Sequence, residues 1–225
     1  MTLPAPGEFV LATGNESKAR EIAEVLTVAL NEQMVARPIY VDGALVGFLM
    51  HGAGEDREMP KLAAAPDVTE TGETLVENAR IKATALAAAT GLPTIADDTG
   101  LSVDALDGAP GVRSARYAGE SATAHENTAR LLAVLGDLPL AARSARFETV
   151  IVTLWPDGRE AIVSGQVPGW IALEPRGDGG FGYDPVFVPE EADGRTFGQM
   201  TPSEKHALSH RGRAVRALAG ALRDA

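Results

Sequence analysis

The chain has 225 residues, 20 lysines and arginines against 31 aspartates and glutamates, a formal net charge of −11, and no cysteine. Such an acidic chain is a poor general partner for duplex nucleic acid or an anionic membrane. Without thiols it has no disulfide framework, thiolate metal site or thiol nucleophile, a composition that fits a reducing cytoplasm.

The apolar runs at 44–50 and 85–89 fall far short of the roughly 18 residues of a membrane span. The opening MTLPAPGEFV lacks the basic-then-apolar pattern of a secretory signal. Aromatics at 5% offer little for stacking single strands. In chain order, 9–13 reads as a strand, followed by a turn at Gly14-Asn15 with Asn15 as helix N-cap. Ala19, Ile22, Ala23, Leu26, Ala29 and Leu30 then repeat at helical spacing. A second strand is expected at 35–41. Residues 42–66 combine glycines, prolines, the charged cluster Glu55, Asp56, Arg57, Glu58 and an apolar patch. They read as an irregular excursion inside one domain spanning 1–225, with at most a short helix, and its patch 44–50 belongs in a core or an interface.

Thr74 and Glu77 form a capping box opening a helix that closes at Gly91. Residues 93–97 predict a short strand, 99–120 a long loop. Thr123 and Glu126 form a second capping box, for a helix ending near Gly136. Strands at 146–155 and 160–167 flank the turn Pro156-Asp157-Gly158. A glycine-rich segment covers 176–187, and 203–225 is helical in two pieces, broken at Gly212. Strand–helix alternation with a hairpin predicts an α/β fold with a mixed sheet and flanking helices.

Four places could carry chemistry. Thr13-Gly14-Asn15-Glu16-Ser17-Lys18 ends a strand and opens a helix, whose free N–H groups attract phosphate. Lys18 opposes the helix dipole there, which favours a nearby anion; the competing reading is a capped helix with a solvated lysine. Asp97-Asp98 closes a strand, where ligands of α/β sheets gather. Alternation sends the two carboxylates to opposite sides, so one is available to magnesium while the other can be structural. Glu70 is a second candidate ligand; turn-forming aspartates and a helix-start glutamate are the plainer readings. In Phe181-Gly182-Tyr183-Asp184, Phe181 could stack on a base and Asp184 accept a base N–H, or the segment is a tight turn on a core phenylalanine. The tail collects Lys205, His206, His210, Arg211, Arg213 and Arg216, a small-anion site or a solvated helix face. His51 and His125 show no partners and read as surface residues, as does His206 on its own. Together these features are what a magnesium-dependent nucleotide hydrolase needs.

The segments LATGNESKAREI, ETGETLVENARIKA, ADDTGLSVDALDGAPGVRSARYAGE, GGFGYDPVFVP and SEKHALSHRGRA occur in that order. From residue 9 to 223 the chain resembles the inosine/xanthosine triphosphate pyrophosphatase family, the bacterial dITP/XTP pyrophosphatases. Residues 42–66 are longer than that family's usual connection into the glutamate motif. The resemblance implies hydrolysis of ITP, dITP and XTP to the monophosphate and pyrophosphate, with Mg2+. It also implies a homodimer and an elongated two-lobed α/β fold around a central nucleotide cleft. Carried across, Thr13, Asn15 and Lys18 hold the triphosphate, with Gly14, Glu16 and Ser17 in the same loop. Asp98 is proton acceptor and metal ligand with Glu70 as metal partner, and Thr99 touches substrate. Phe181, Gly182, Tyr183 and Asp184 line the base pocket, closed by Lys205, His210 and Arg211. A pyrophosphatase for modified pyrimidine triphosphates and a non-catalytic nucleotide sensor are the alternatives.

Overall fold

The computed structural model describes residues 8–31, 33–54, 57–66 and 68–223. Glu55 and Asp56 of the charged cluster, and residues 1–7, lie outside the described residues. The order is β1 (Glu8–Leu11), α1 (Glu16–Leu30), β2 (Met34–Val41), β3 (Ala44–Gly52), α2 (Leu75–Thr90), β4 (Thr94–Val103), β5 (Pro110–Gly111), α3 (Ala124–Leu135), β6 (Ser144–Leu154), β7 (Glu160–Ile171), β8 (Phe187–Pro189), α4 (Pro202–Leu208) and α5 (His210–Arg223), with short 3-10 turns between them. The sheet runs β2-β3-β1-β4-β6-β7-β8, with β5 paired to β4. It is mixed: β1 is parallel to β4 and antiparallel to β3. Among the described residues, no helix is long and apolar enough to cross a membrane.

Two compact units divide the chain. One comprises Met1–Asp98, Val150–Ser164 and Ala214–Ala225, the other Thr99–Thr149 and Gly165–Arg213. In the first, strand alternation sorts side chains onto two faces. Phe9, Leu11, Phe48, Met50 and Ile95 pack with α1 and with Ala214, Val215, Leu218 and Leu222 of α5. Val10, Leu49 and Ala96 pack with Ala79, Ala83 and Leu86 of α2. In the second, Leu101, Phe147, Val167, Phe187 and Phe197 gather with Leu131 and Leu135 of α3.

The capping boxes at Thr74–Glu77 and Thr123–Glu126 form as expected. Of the irregular excursion expected over 42–66, residues 42–52 are regular. Asp42 and Gly43 both take positive φ, 49° and 81°, and join β2 to β3 as a two-residue hairpin with Val41 opposite Ala44. Both central residues of such a turn need the left-handed region, which Asp-Gly tolerates. The apolar patch is therefore an interior strand, with Leu49 and Met50 fully buried. No helix forms among the described residues of 53–66.

Two further boundaries differ. β4 continues six residues past Asp97 into the expected loop, because Leu101 and Val103 have a core to enter. The tail breaks at Ser209, which is extended, and not at Gly212. Gly212 sits in the first turn of α5, where a Cβ would meet the His206 carbonyl. His51 is buried on β3, its Nδ1–H donating to the Gly52 carbonyl at 2.9 Å, while His125 is exposed.

Candidate active site

In the first unit the chain leaves β1 through Thr13, whose Oγ1 accepts the Asn15 N–H at 3.1 Å. The Asn15 carboxamide oxygen then accepts the Lys18 N–H at 3.1 Å and caps α1. Gly14, Glu16 and Ser17 are exposed around this turn. Lys18 is not simply solvated: its ammonium lies 3.3 Å from the Asp97 carboxylate, which is 1% exposed. That anion offsets the cost of a cation in a first helical turn.

Asp97 and Asp98 diverge as a strand requires. Asp97 follows Ile95 onto the α1 face, and Asp98 follows Ala96 onto the α2 face. There Asp98 meets a group that the sequence reading overlooked. Lys82, one turn beyond Asn78 on α2, places Nζ 3.1 Å from Asp98 Oδ1 and 3.1 Å from Glu70 Oε1. Two carboxylates from separate segments thus converge on one cationic point.

Burial lifts the Asp98 carboxyl above its ordinary range; Lys82 draws it back and Glu70 pushes it up again. For Lys82 burial acts against the charge, yet Asp98, Asp97 and Glu70 together hold the ammonium above its ordinary range. Three carboxylates face two ammonium groups here, so the cluster is one positive charge short of neutral.

That shortfall fits a divalent cation. Among the described residues no group of three or more His, Asp or Glu side chains gathers to cage a metal. Magnesium does not need one: it keeps several waters and takes one or two carboxylates plus phosphate oxygens. Glu70 and Asp98 are two carboxylates that would fit that donor set.

The second unit holds a cluster of opposite sign. Asp184 Oδ2 accepts the Phe181 N–H at 2.7 Å and the Lys205 ammonium at 2.7 Å, with Asp184 and Lys205 both buried. Lys205 Nζ lies 4.6 Å from the Phe181 ring centre, and Arg211 Cζ 5.1 Å. Arg211, 1% exposed, also donates to Thr99 Oγ1 at 3.3 Å, and Thr99 shares a 2.8 Å hydroxyl–hydroxyl bond with Thr149. Lys205 and Arg211 against Asp184 leave a local positive charge beside an aromatic ring, suited to an electron-rich ligand.

One expected member of this cluster faces elsewhere. The Tyr183 side chain is a core group: its hydroxyl donates to the Ser114 carbonyl at 2.9 Å, and burial pushes its ionisation up. An alternating pattern cannot place a residue in a turn, and the apolar ring took the interior. His210 is buried and stacks on Phe147 at 4.4 Å with 15° between planes, which fixes its ring. Gly182 lies in the turn between Phe181 and Asp184, and its carbonyl accepts the Thr128 hydroxyl at 3.3 Å.

A family model described as the Ham1 family matches residues 9–221. The chain belongs to the Ham1 family. This Ham1 chain is 45% identical over 218 residues to the dITP/XTP pyrophosphatase of Lactobacillus johnsonii, covering 95% of this chain and 94% of that protein. It is 53% identical over 161 residues to the dITP/XTP pyrophosphatase of Mycolicibacterium paratuberculosis, covering 72% and 78%. Among solved structures, a HAM1 protein from Coxiella burnetii superposes with a TM-score of 0.73 at 37% identity, covering 96% of this chain and 98% of that one. A nucleoside-triphosphatase / dITP/XTP pyrophosphatase from Mycobacterium abscessus gives a TM-score of 0.63 at 39% identity, covering 92% and 96%.

For a Ham1 chain read from its sequence, Lys82, Asn78 and Thr149 are the polar residues missed at the two clusters. A signal for the first two existed. Asn78 and Lys82 are four apart, one turn of the same helix, on the face that also carries Ala79 and Ala83. A lysine and an asparagine on a core-facing stripe call for buried partners.

Proposed function

We propose that this Ham1 chain hydrolyses deaminated purine nucleoside triphosphates, ITP, dITP and XTP, to the monophosphate and pyrophosphate, acting with Mg2+. The observation that carries the reading is the convergence of Glu70 and Asp98 on one cationic point, in a chain whose relatives are named dITP/XTP pyrophosphatases. Glu70 and Asp98 are the residues to hold Mg2+, which when bound neutralises phosphate charge and makes pyrophosphate a better leaving group.

Asp98 accepts the proton of the attacking water, a role that its raised basicity favours. The water oxygen bonds to the α phosphorus, the bond to the bridging oxygen breaks, and pyrophosphate departs with the electron pair. Lys18 and Lys82 offset the negative charge of the triphosphate, with Thr13 and Asn15 shaping the turn before Lys18. Positioning and charge neutralisation supply most of the rate. As the resemblance implies, Phe181 offers its ring to the purine. Arg211, or the His210 ring, donates to the oxygen at the purine six position, and Asp184 holds Lys205 and the Phe181 turn in place. The resemblance further supports a cytoplasmic location and a homodimer, the latter tested by light scattering of the purified protein.

The deciding experiment supplies ITP, XTP, ATP, GTP and modified pyrimidine triphosphates at equal magnesium and identifies products by ion chromatography. Pyrophosphate from ITP and XTP is expected, with ATP and GTP poorer by more than about tenfold; a site built to bond the six-position oxygen rejects the amino group of ATP by more than that, whereas GTP shares the oxygen and must be refused at its two-amino group. Orthophosphate as the first product, or ATP or GTP within tenfold of ITP, rejects the reading. Binding without turnover indicates a sensor instead.

A further inference from the structure

We infer that Asn78 is a positioning residue that fixes the Glu70 and Asp98 carboxylates relative to each other, and so sets the affinity for the divalent cation. The inference rests on the proposed roles of those two carboxylates and adds a residue that touches neither the metal nor the substrate.

Asn78 is completely buried. Its Oδ1 accepts the Gly72 N–H at 2.8 Å, and its Nδ2 donates to Asp98 Oδ2 at 3.4 Å. The first bond settles the orientation of the amide, because only the carbonyl oxygen can accept from a backbone N–H. The amino group is therefore turned to Asp98. One carboxamide ties the segment that carries Glu70, two residues before Gly72, to the strand that carries Asp98.

The same contact engages one oxygen of Asp98 and leaves Oδ1 toward Lys82. Space is tight on the segment's side: a Cβ on Gly72 would lie 2.7 Å from Asn78 Oδ1 and 2.7 Å from Glu77 Cβ. Residue 72 must be glycine for the segment to come this close. Outer groups that orient metal ligands typically carry 10–100-fold in metal affinity.

The test measures binding of Mn2+ alone by electron paramagnetic resonance to the full chain, to Asn78→Ala, to Gly72→Ala, to Glu70→Gln and to the Asn78→Ala/Glu70→Gln double variant. Thermal unfolding is recorded for each. Asn78→Ala and Gly72→Ala disturb one hydrogen bond from opposite sides, so the second stands if the first does not fold. Both are expected to weaken Mn2+ binding by about tenfold or more. The double variant is expected to bind no worse than Glu70→Gln alone, since Asn78 acts through the placement of Glu70. A merely structural asparagine would lower the melting temperature and leave Mn2+ affinity unchanged, which overturns the inference, as does full additivity in the double variant. If wild type binds no Mn2+, or Glu70→Gln binds it equally well, the metal reading itself fails. If Glu70→Gln weakens binding and Asn78→Ala and Gly72→Ala do not, only the role of Asn78 fails.

Discussion

Replacing Lys82 with methionine removes the ammonium that joins Glu70 to Asp98 while keeping an unbranched side chain of similar length on α2. Each 3.1 Å contact is an attraction of about 5 kcal/mol at an effective dielectric of about 20. Two oxygens that share one nitrogen at that distance lie no more than about 6 Å apart. Without the cation they repel by about 3 kcal/mol on the same basis. Glu70 is 33% exposed, and solvent screening reduces that figure to about 2 kcal/mol.

Asp98 already sits above its ordinary range because of burial, and the variant lifts it further. A carboxyl raised in the folded state contributes stability that is full below its unfolded pKa and lost as pH rises through the folded value. The variant is therefore closest to wild type in acid and falls behind as Asp98 ionises toward neutral pH. About 2 kcal/mol corresponds to a melting temperature lower by about 4–8 °C for a chain of this size. Added Mg2+ restores the missing positive charge and raises the melting temperature of the variant more than that of wild type. Turnover falls because the triphosphate loses a cation. The assay is thermal unfolding across that pH range with and without Mg2+, beside pyrophosphate release from ITP. A melting-temperature gap independent of both pH and Mg2+ would refute the argument.

Asp98→Asn is expected to lose about 10²-fold or more in kcat with nucleotide binding retained; more than about a tenth of wild-type turnover sinks the proton-acceptor role. Lys18→Ala should weaken ITP binding more than IMP binding, measured by calorimetry, since its cation serves the outer phosphates; equal losses exclude that contact. Arg143, 2% exposed, donates to the carbonyls of Leu138, Ala172 and Gly136. Arg143→Met strands the buried Ala172 carbonyl and unties two part-buried ones, and should cost about 2 kcal/mol or more in urea unfolding; a loss below about 1 kcal/mol would show that the guanidinium is dispensable.

Features written within a few residues were legible. The Asn15 cap and the capping boxes at Thr74 and Thr123 are bonds over three residues, and the residues that make them stand side by side in the sequence. The divergence of Asp97 and Asp98 followed from strand alternation alone. Asp42-Gly43 was equally readable as a hairpin turn, but the glycines, prolines and charges after Gly52 masked it; the core contacts of Leu49 and Met50 settled the strand.

Ordered motifs determined the family and therefore most of the candidate site. They did not determine which polar groups pair. Lys82 reaches Asp98 across 16 residues, Lys18 reaches Asp97 across 79, and Tyr183 reaches Ser114 across 69. Nothing local favours Tyr183 entering the core while Phe181, two residues earlier, meets two cations. The choice depends on which wall each side chain meets once β4, α2 and α4 are packed. Burial then makes that choice binding, because a buried charge or hydroxyl without a partner costs more than the pairing gains in water. The sequence by itself supplied the chemical groups and their local geometry; the tertiary structure alone decided their partners, since only packing removes the competing water.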